Sequence, residues 1–259
     1  MVLLLLACGG DDDATLDAGG DVGAGEDAGL DSAPADDVPT AGCDLDDVVT
    51  FLTSDGVQLE AFAQLAGPDA PAVVLFHMVP PSNNRSNYSA AFRNELFSNG
   101  WSVLNVDRRG AGGSDGVARE AYEGPGGALD VAAATEFLRG TGCVDMTKVA
   151  IIGASNGTTS VLDGIVAGGI EPATVVFLSG GSYTVNQNPI DTPALATLPV
   201  LFAWSDGDTP SATWNVGVRD GRPGEWLFNN RAGDAHGTML LADDDARGAV
   251  IAWLFASLR

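Results

Sequence analysis

The stretch Lys148-Val149-Ala150-Ile151-Ile152-Gly153-Ala154-Ser155-Asn156-Gly157-Thr158-Thr159-Ser160-Val161 decides how this chain is read. Its first part, residues 148–152, reads as a strand whose apolar, β-branched run Val149-Ala150-Ile151-Ile152 suits burial on both faces. Residues 158–166 read as a helix. Between the two stands Gly153-Ala154-Ser155-Asn156-Gly157, a G-x-S-x-G pattern. In a chain with 34 glycines the pattern is weak evidence alone, and a glycine-rich structural turn is the alternative. The strand-turn-helix setting is what gives it weight. A serine on so sharp a turn exposes its hydroxyl at the carboxyl edge of a sheet. The helix that follows aims its positive end at any negative charge developing there.

A serine hydroxyl needs a base beside it to act as a nucleophile at neutral pH. The chain holds two histidines. His77 directly follows a predicted strand and precedes the serine turn. His236 sits in Ala232-Gly233-Asp234-Ala235-His236-Gly237-Thr238, between the last predicted strand and the last predicted helix. That placement favours His236 as the base over a stray surface histidine. A carboxylate to orient it is sought after the strand at 200–204, where Ser205-Asp206-Gly207-Asp208-Thr209-Pro210 offers two candidates. Asp208 is preferred and Asp206 kept as the alternative. A buried carboxylate there would set the imidazole tautomer and stabilise the imidazolium formed on attack.

Working outward, strands are expected over 48–53, 57–64, 72–76, 102–106, 148–152, 174–178, 200–204 and 225–229. Helices are expected over 90–98, 128–138, 158–166 and 244–258. Ser54-Asp55-Gly56 marks a hairpin between the first two strands. Two antiparallel strands followed by strand-helix alternation predict an α/β fold, an eight-stranded, mostly parallel sheet with helices on both faces. No internal repeat and no second domain is visible.

Over residues 48–259 the chain resembles an α/β-hydrolase of the esterase, dienelactone-hydrolase and acyl-peptidase kind. The order Ser155, Asp208, His236 is the order of that family. Asp107-Arg108-Arg109-Gly110-Ala111-Gly112-Gly113-Ser114 matches its D-x-R-G-x-G-x-S turn, which is structural there. A dinucleotide-binding reading of these glycines fails, because Asp115 stands where the third glycine belongs. The resemblance implies a serine hydrolase that transfers the acyl group of a small-molecule acyl substrate to water. Carboxylic ester is the default substrate, with peptide amide as the alternative. It also implies an oxyanion hole built from the backbone N–H groups of Val79 and Asn156. Relatives carry His-Gly-x where this chain has His77-Met78-Val79, so one glycine is replaced by a bulkier, less adaptable residue. That departure supports a rival reading, a hydrolase scaffold kept for binding. His77 is expected to brace its loop. Residues 182–199 stand where relatives insert a cap, and are too few for a large one. An open site follows, with Met78 and Trp204 as pocket lining or ordinary packing.

Composition bounds the rest. The net charge is −23, but the first 47 residues hold 13 of 35 acidic residues and no lysine or arginine. In residues 48–259 the remaining 22 acids face all 12 basic residues, a net charge of −10. An acidic surface repels polyanions, so no nucleic-acid partner is expected. Residues 2–7 form a short apolar run ending at Cys8, and Leu5-Leu6-Ala7-Cys8 resembles the bacterial lipobox. The run lacks a basic start and is short for a signal peptide, so residues 1–8 read as an export signal with its front missing. The expectation is lipidation at Cys8 and a protein anchored to a bacterial membrane only through lipid. Residues 9–47 are an Asp/Ala/Gly spacer, expected to be disordered. Its aspartates lack the spacing of a calcium loop, and no cofactor and no metal is expected. With Cys8 lipidated, Cys43 and Cys143 are left as a candidate disulfide or as two free thiols.

Overall fold

A computed structural model describes residues 42–167, 170–181, 183, 189, 192–221 and 226–259. The expected lipidation site Cys8 and nearly all of the acidic spacer lie outside them. The described residues fall in one unit, Val38–Arg259.

Eight strands form one sheet: β1 (Asp46–Leu52), β2 (Gln58–Gln64), β3 (Ala70–Phe76), β4 (Ser102–Val106), β5 (Val144–Ala154), β6 (Thr174–Leu178), β7 (Val200–Ser205) and β8 (Leu227–Arg231). Their order across the sheet is β1-β2-β4-β3-β5-β6-β7-β8. β1 pairs antiparallel with β2 and β2 with β4, and every other pairing is parallel. The expected α/β-hydrolase sheet is therefore the observed one. Strands β4, β6 and β7 are buried along their whole length, as a strand covered on both faces must be. Edge strand β1 is mostly exposed.

The helices are α1 (Ala90–Ser98), α2 (Gly126–Thr141), α3 (Gly157–Val166), α4 (Thr209–Gly221) and α5 (Asp244–Ser257). Alternate residues of β3 feed two cores. Ala72, Val74 and Phe76 pack with Val131 and Leu138 of α2, Val161 and Ile165 of α3 and Val218 of α4. Val73 and Leu75 pack on the other face with Phe92 and Leu96 of α1 and Val250 and Leu254 of α5. Each fully buried Val, Leu or Phe contributes about 1.5–3 kcal/mol, so this double-sided burial is what holds the central strands in register.

Helix α4 is absent from the sequence expectation, and the reason is local. Pro210 stands in its first turn, Gly217 lies inside it, and Thr213, Val216 and Val218 are β-branched, all weak helix formers. Tertiary packing overrides that preference: Val218 is buried in the core and the Trp214 ring lies 6.2 Å from that of Phe202.

Between β6 and β7 the described residues include a short 3-10 turn, Pro193–Leu195, and no large cap. Cys43 and Cys143 are joined by a disulfide with their Cα atoms 5.5 Å apart. It ties the segment before β1 to the turn after α2, across 100 residues of chain.

Candidate active site

β4 lies on one side of β3 and β5 on the other, so the winding of the sheet reverses between β3 and β5. In open parallel sheets the crevice at the carboxyl ends of such a pair is where ligands bind. His77 follows β3 at that edge, and Ser155 follows β5.

Ser155 takes φ of +51°, a left-handed conformation that costs a non-glycine residue about 1–3 kcal/mol. The surrounding structure enforces it. The Ser155 N–H donates to Leu178 O at 2.7 Å, and its carbonyl accepts from the N–H and hydroxyl of Thr158. Both flanking glycines are needed for close approach. A Cβ on Gly153 would lie 2.8 Å from Gly157 O, and one on Gly157 would lie 2.5 Å from His77 O. The serine is thereby presented at the sheet edge with α3 starting directly behind it.

Three side chains from distant parts of the chain meet there. His236 Nε2 lies 2.6 Å from Ser155 Oγ, and His236 Nδ1 lies 2.7 Å from Asp208 Oδ2. With the carboxylate ionised, Nδ1 carries the proton and donates to Asp208, leaving Nε2 to accept from the serine hydroxyl. Two backbone ties bring the loops after β7 and β8 together. The Asp206 N–H donates to Arg231 O at 2.8 Å and the Gly207 N–H to Gly233 O at 2.7 Å. The same ties turn Asp206 away, and its carboxylate accepts from Asn230 Nδ2 at 3.2 Å.

Of the two expected oxyanion donors, Asn156 is buried and Val79 is partly exposed. Neither backbone N–H is engaged by an acceptor among the described residues. The Met78 thioether lies against Gly237, the residue after His236. Trp204 is packing and not pocket lining: it is buried in the core, its ring 6.3 Å from that of Phe228.

His77 is fully buried and held by main chain at both nitrogens. Nε2 accepts from the Arg108 N–H at 2.9 Å, so Nδ1 carries the proton and donates to Met78 O at 2.8 Å. Burial, reinforced by the charge of Arg108, pulls its pKa down to about 3. The D-x-R-G-x-G-x-S turn is braced in the same way. Asp107 accepts from the Arg85 and Gly113 N–H groups, and Arg109 pairs with Asp130 and Asp55 at 2.7 and 2.8 Å.

Three residues of the site were not found from sequence. Ser179 directly follows β6 with φ of +50°, and its hydroxyl accepts from the Gly237 N–H at 2.9 Å, pinning the His236 loop. The Tyr183 hydroxyl donates to Ser179 O at 2.8 Å and sits within hydrogen-bonding reach of the Ser155 side chain; burial pushes its pKa up to about 12. Arg108 is buried behind the serine turn and donates to Asn156 Oδ1 at 2.9 Å. The doubled arginine in Asp107-Arg108-Arg109-Gly110 was the one visible signal for it. Among the described residues no group of His, Cys, Asp and Glu is arranged to hold a metal ion.

Several solved structures share this fold. An α/β hydrolase from a Penicillium species superposes with a TM-score of 0.68 at 12% identity, over 82% of this chain and 98% of its own. An esterase from Pyrococcus furiosus gives 0.64 at 16% identity, over 82% and 91% of the two chains. A dienelactone hydrolase from Anabaena variabilis gives 0.61 at 18%, over 82% and 97%. At such identities the likeness is one of fold. No curated protein matches the sequence. A family model, described as X-Pro dipeptidyl-peptidase (S15 family), matches residues 55–257, nearly the whole of the described fold. By that match the chain belongs to the S15 peptidase family of α/β-hydrolases.

Proposed function

We propose that the protein is a serine hydrolase acting by acyl transfer, with Ser155 as nucleophile, His236 as base and Asp208 as the acid that orients it. The carrying observation is the pair of contacts made by one imidazole, 2.6 Å to the Ser155 hydroxyl and 2.7 Å to the Asp208 carboxylate. In this reading Ser155 Oγ bonds to the substrate carbonyl carbon as its proton passes to His236 Nε2. The carbonyl oxygen becomes an oxyanion held by the N–H groups of Val79 and Asn156. The imidazolium gives its proton to the leaving oxygen or nitrogen, the scissile bond breaks, and an acyl-enzyme remains on Ser155. Water then adds to the acyl carbon with its proton passing to Nε2. That proton returns to Oγ as the acid product leaves.

Carboxylic ester is the default substrate, supported by the esterases of the same fold. Peptide amide is the second reading, and the S15 family match favours it. A fluorophosphonate probe is expected to label wild-type protein and leave Ser155→Ala unlabelled. Wild-type protein that resists the probe under conditions that label an ordinary esterase would sink the assignment. Matched panels of p-nitrophenyl esters and aminoacyl p-nitroanilides, X-Pro anilides among them, then separate the two substrate classes.

Export and lipid anchoring through Cys8 belong to the same proposal. The Cys43–Cys143 disulfide supports them, because such bonds persist in oxidising compartments and are rare in reducing ones. Incorporation of labelled palmitate, lost in Cys8→Ser, is the test.

A further inference from the structure

Arg108 is among the largest fully buried side chains, yet no carboxylate pairs with it among the described residues. A bare guanidinium in a protein interior is costly unless its charge is met by oriented oxygens. Every atom it hydrogen-bonds is neutral, and the Asp130 and Asp163 carboxylates act on it only through space. Nη1 reaches Asn156 Oδ1 at 2.9 Å, Met78 O at 3.2 Å and His77 O at 3.4 Å. Nη2 donates to Ala121 O and to Ser160 Oγ, both at 2.7 Å. Its own backbone N–H holds His77 Nε2, and His77 Nδ1–H in turn donates to Met78 O.

These partners are not scattered. The Met78 carbonyl belongs to the same planar peptide unit as the Val79 N–H, and in a trans peptide the two point in opposite directions. Two donors on that carbonyl, Arg108 and His77, therefore fix the direction of the Val79 N–H. The cation also polarises the amide, which strengthens its N–H as a donor. The second contact, to Asn156 Oδ1, anchors the residue whose N–H is the other expected oxyanion donor. One buried cation thus ties the loop after β3 to the N-terminus of α3.

We propose that Arg108 is a positioning residue for oxyanion stabilisation, aligning the Val79 and Asn156 amides from behind. It supplies by hydrogen bonding the loop geometry that relatives with glycine in place of Met78 obtain from backbone freedom. The proposal rests on the acyl-transfer reading above.

The test compares an oxoester with its thiono counterpart, in which sulfur, a weak acceptor, replaces the carbonyl oxygen. In the full chain, Arg108→Lys is expected to lower kcat for the oxoester by about tenfold to a hundredfold, with KM within about twofold. The thiono substrate, which draws little from those N–H groups, is expected to change far less, so the oxo/thiono rate ratio falls. Arg108→Met, which removes the charge, is expected to lower the ratio further. Parallel losses on both substrates would mean a merely structural role and overturn the proposal, as would an unchanged ratio. If neither variant folds, Ser160→Ala loosens the far end of the same guanidinium, and an unchanged ratio there overturns it equally. Wild-type protein unreactive toward the phosphonate probe would sink acyl transfer itself; a reactive wild type whose ratio ignores Arg108 sinks only this inference.

Discussion

Two imidazoles stand at the carboxyl edge of one sheet, and their surroundings differ in kind. His77 is fully buried, with both nitrogens engaged by main-chain groups. His236 is about one-third exposed at its side chain, with a carboxylate on one nitrogen and a serine hydroxyl on the other. Burial without a counter-charge keeps the first neutral and makes it a brace. Partial exposure, with a carboxylate to stabilise the cation, gives the second what a proton-transfer group requires. The same residue type meets opposite surroundings within 3 Å of its ring nitrogens, and the roles proposed for the two rest on that difference.

The comparison breaks most visibly at the exposed ring. His236→Ala is expected to cut kcat by about 10⁶-fold while leaving the melting temperature nearly unchanged, since residues acting as one catalytic unit fail together. Asp208→Asn keeps the shape but removes the charge, and a loss of about 10⁴-fold in kcat is expected. If either variant turned over substrate near the wild-type rate, the two histidines would no longer differ in function.

At the buried ring the effect is on stability and follows pH. His77 has its pKa lowered from 6.5 to about 3 in the folded protein, chiefly by burial. Between those values the unfolded chain binds a proton that the native state does not. Stability is therefore intact above pH 6.5 and is lost as pH falls toward 3, by about 5 kcal/mol at most. Melting curves of wild type and His77→Gln should converge across that window, since the variant lacks the titrating group. Curves that stay parallel would mean that His77 takes up its proton equally in the folded and unfolded chain, against the lowered pKa. The smallest effect is assigned to Asp206→Asn, whose carboxylate faces Asn230 and not the imidazole. Activity within about twofold of wild type is expected, and a large loss would move the orienting role from Asp208 to Asp206.

Much of the fold was legible because the signals are local. Predominantly apolar stretches at 72–76, 102–106, 174–178 and 200–204 lie within β3, β4, β6 and β7. They stand out because each strand is buried on both faces, and the polar exceptions Ser102, Asn105 and Thr174 are hydrogen-bonded. Helix α4 was not legible, since Pro210, Gly217 and its β-branched residues argue against a helix that packing alone sustains. Pairing of Cys43 with Cys143 was likewise open until the chain was folded, because a distance across 100 residues is not a local quantity.

For the site, the sequence by itself determined the ingredients: a serine on a strand-turn-helix, two histidines, and a loop with two aspartates. Short-range chemistry and chain order are enough to nominate these. Only the tertiary structure shows which of Asp206 and Asp208 touches the imidazole, through the backbone ties that Arg231 and Gly233 offer to the neighbouring loop. It alone placed Ser179 behind Gly237 and Arg108 behind the Met78 and Asn156 groups. Those assignments depend on which atoms face each other across a sheet edge, and spacing along the chain carries no record of that.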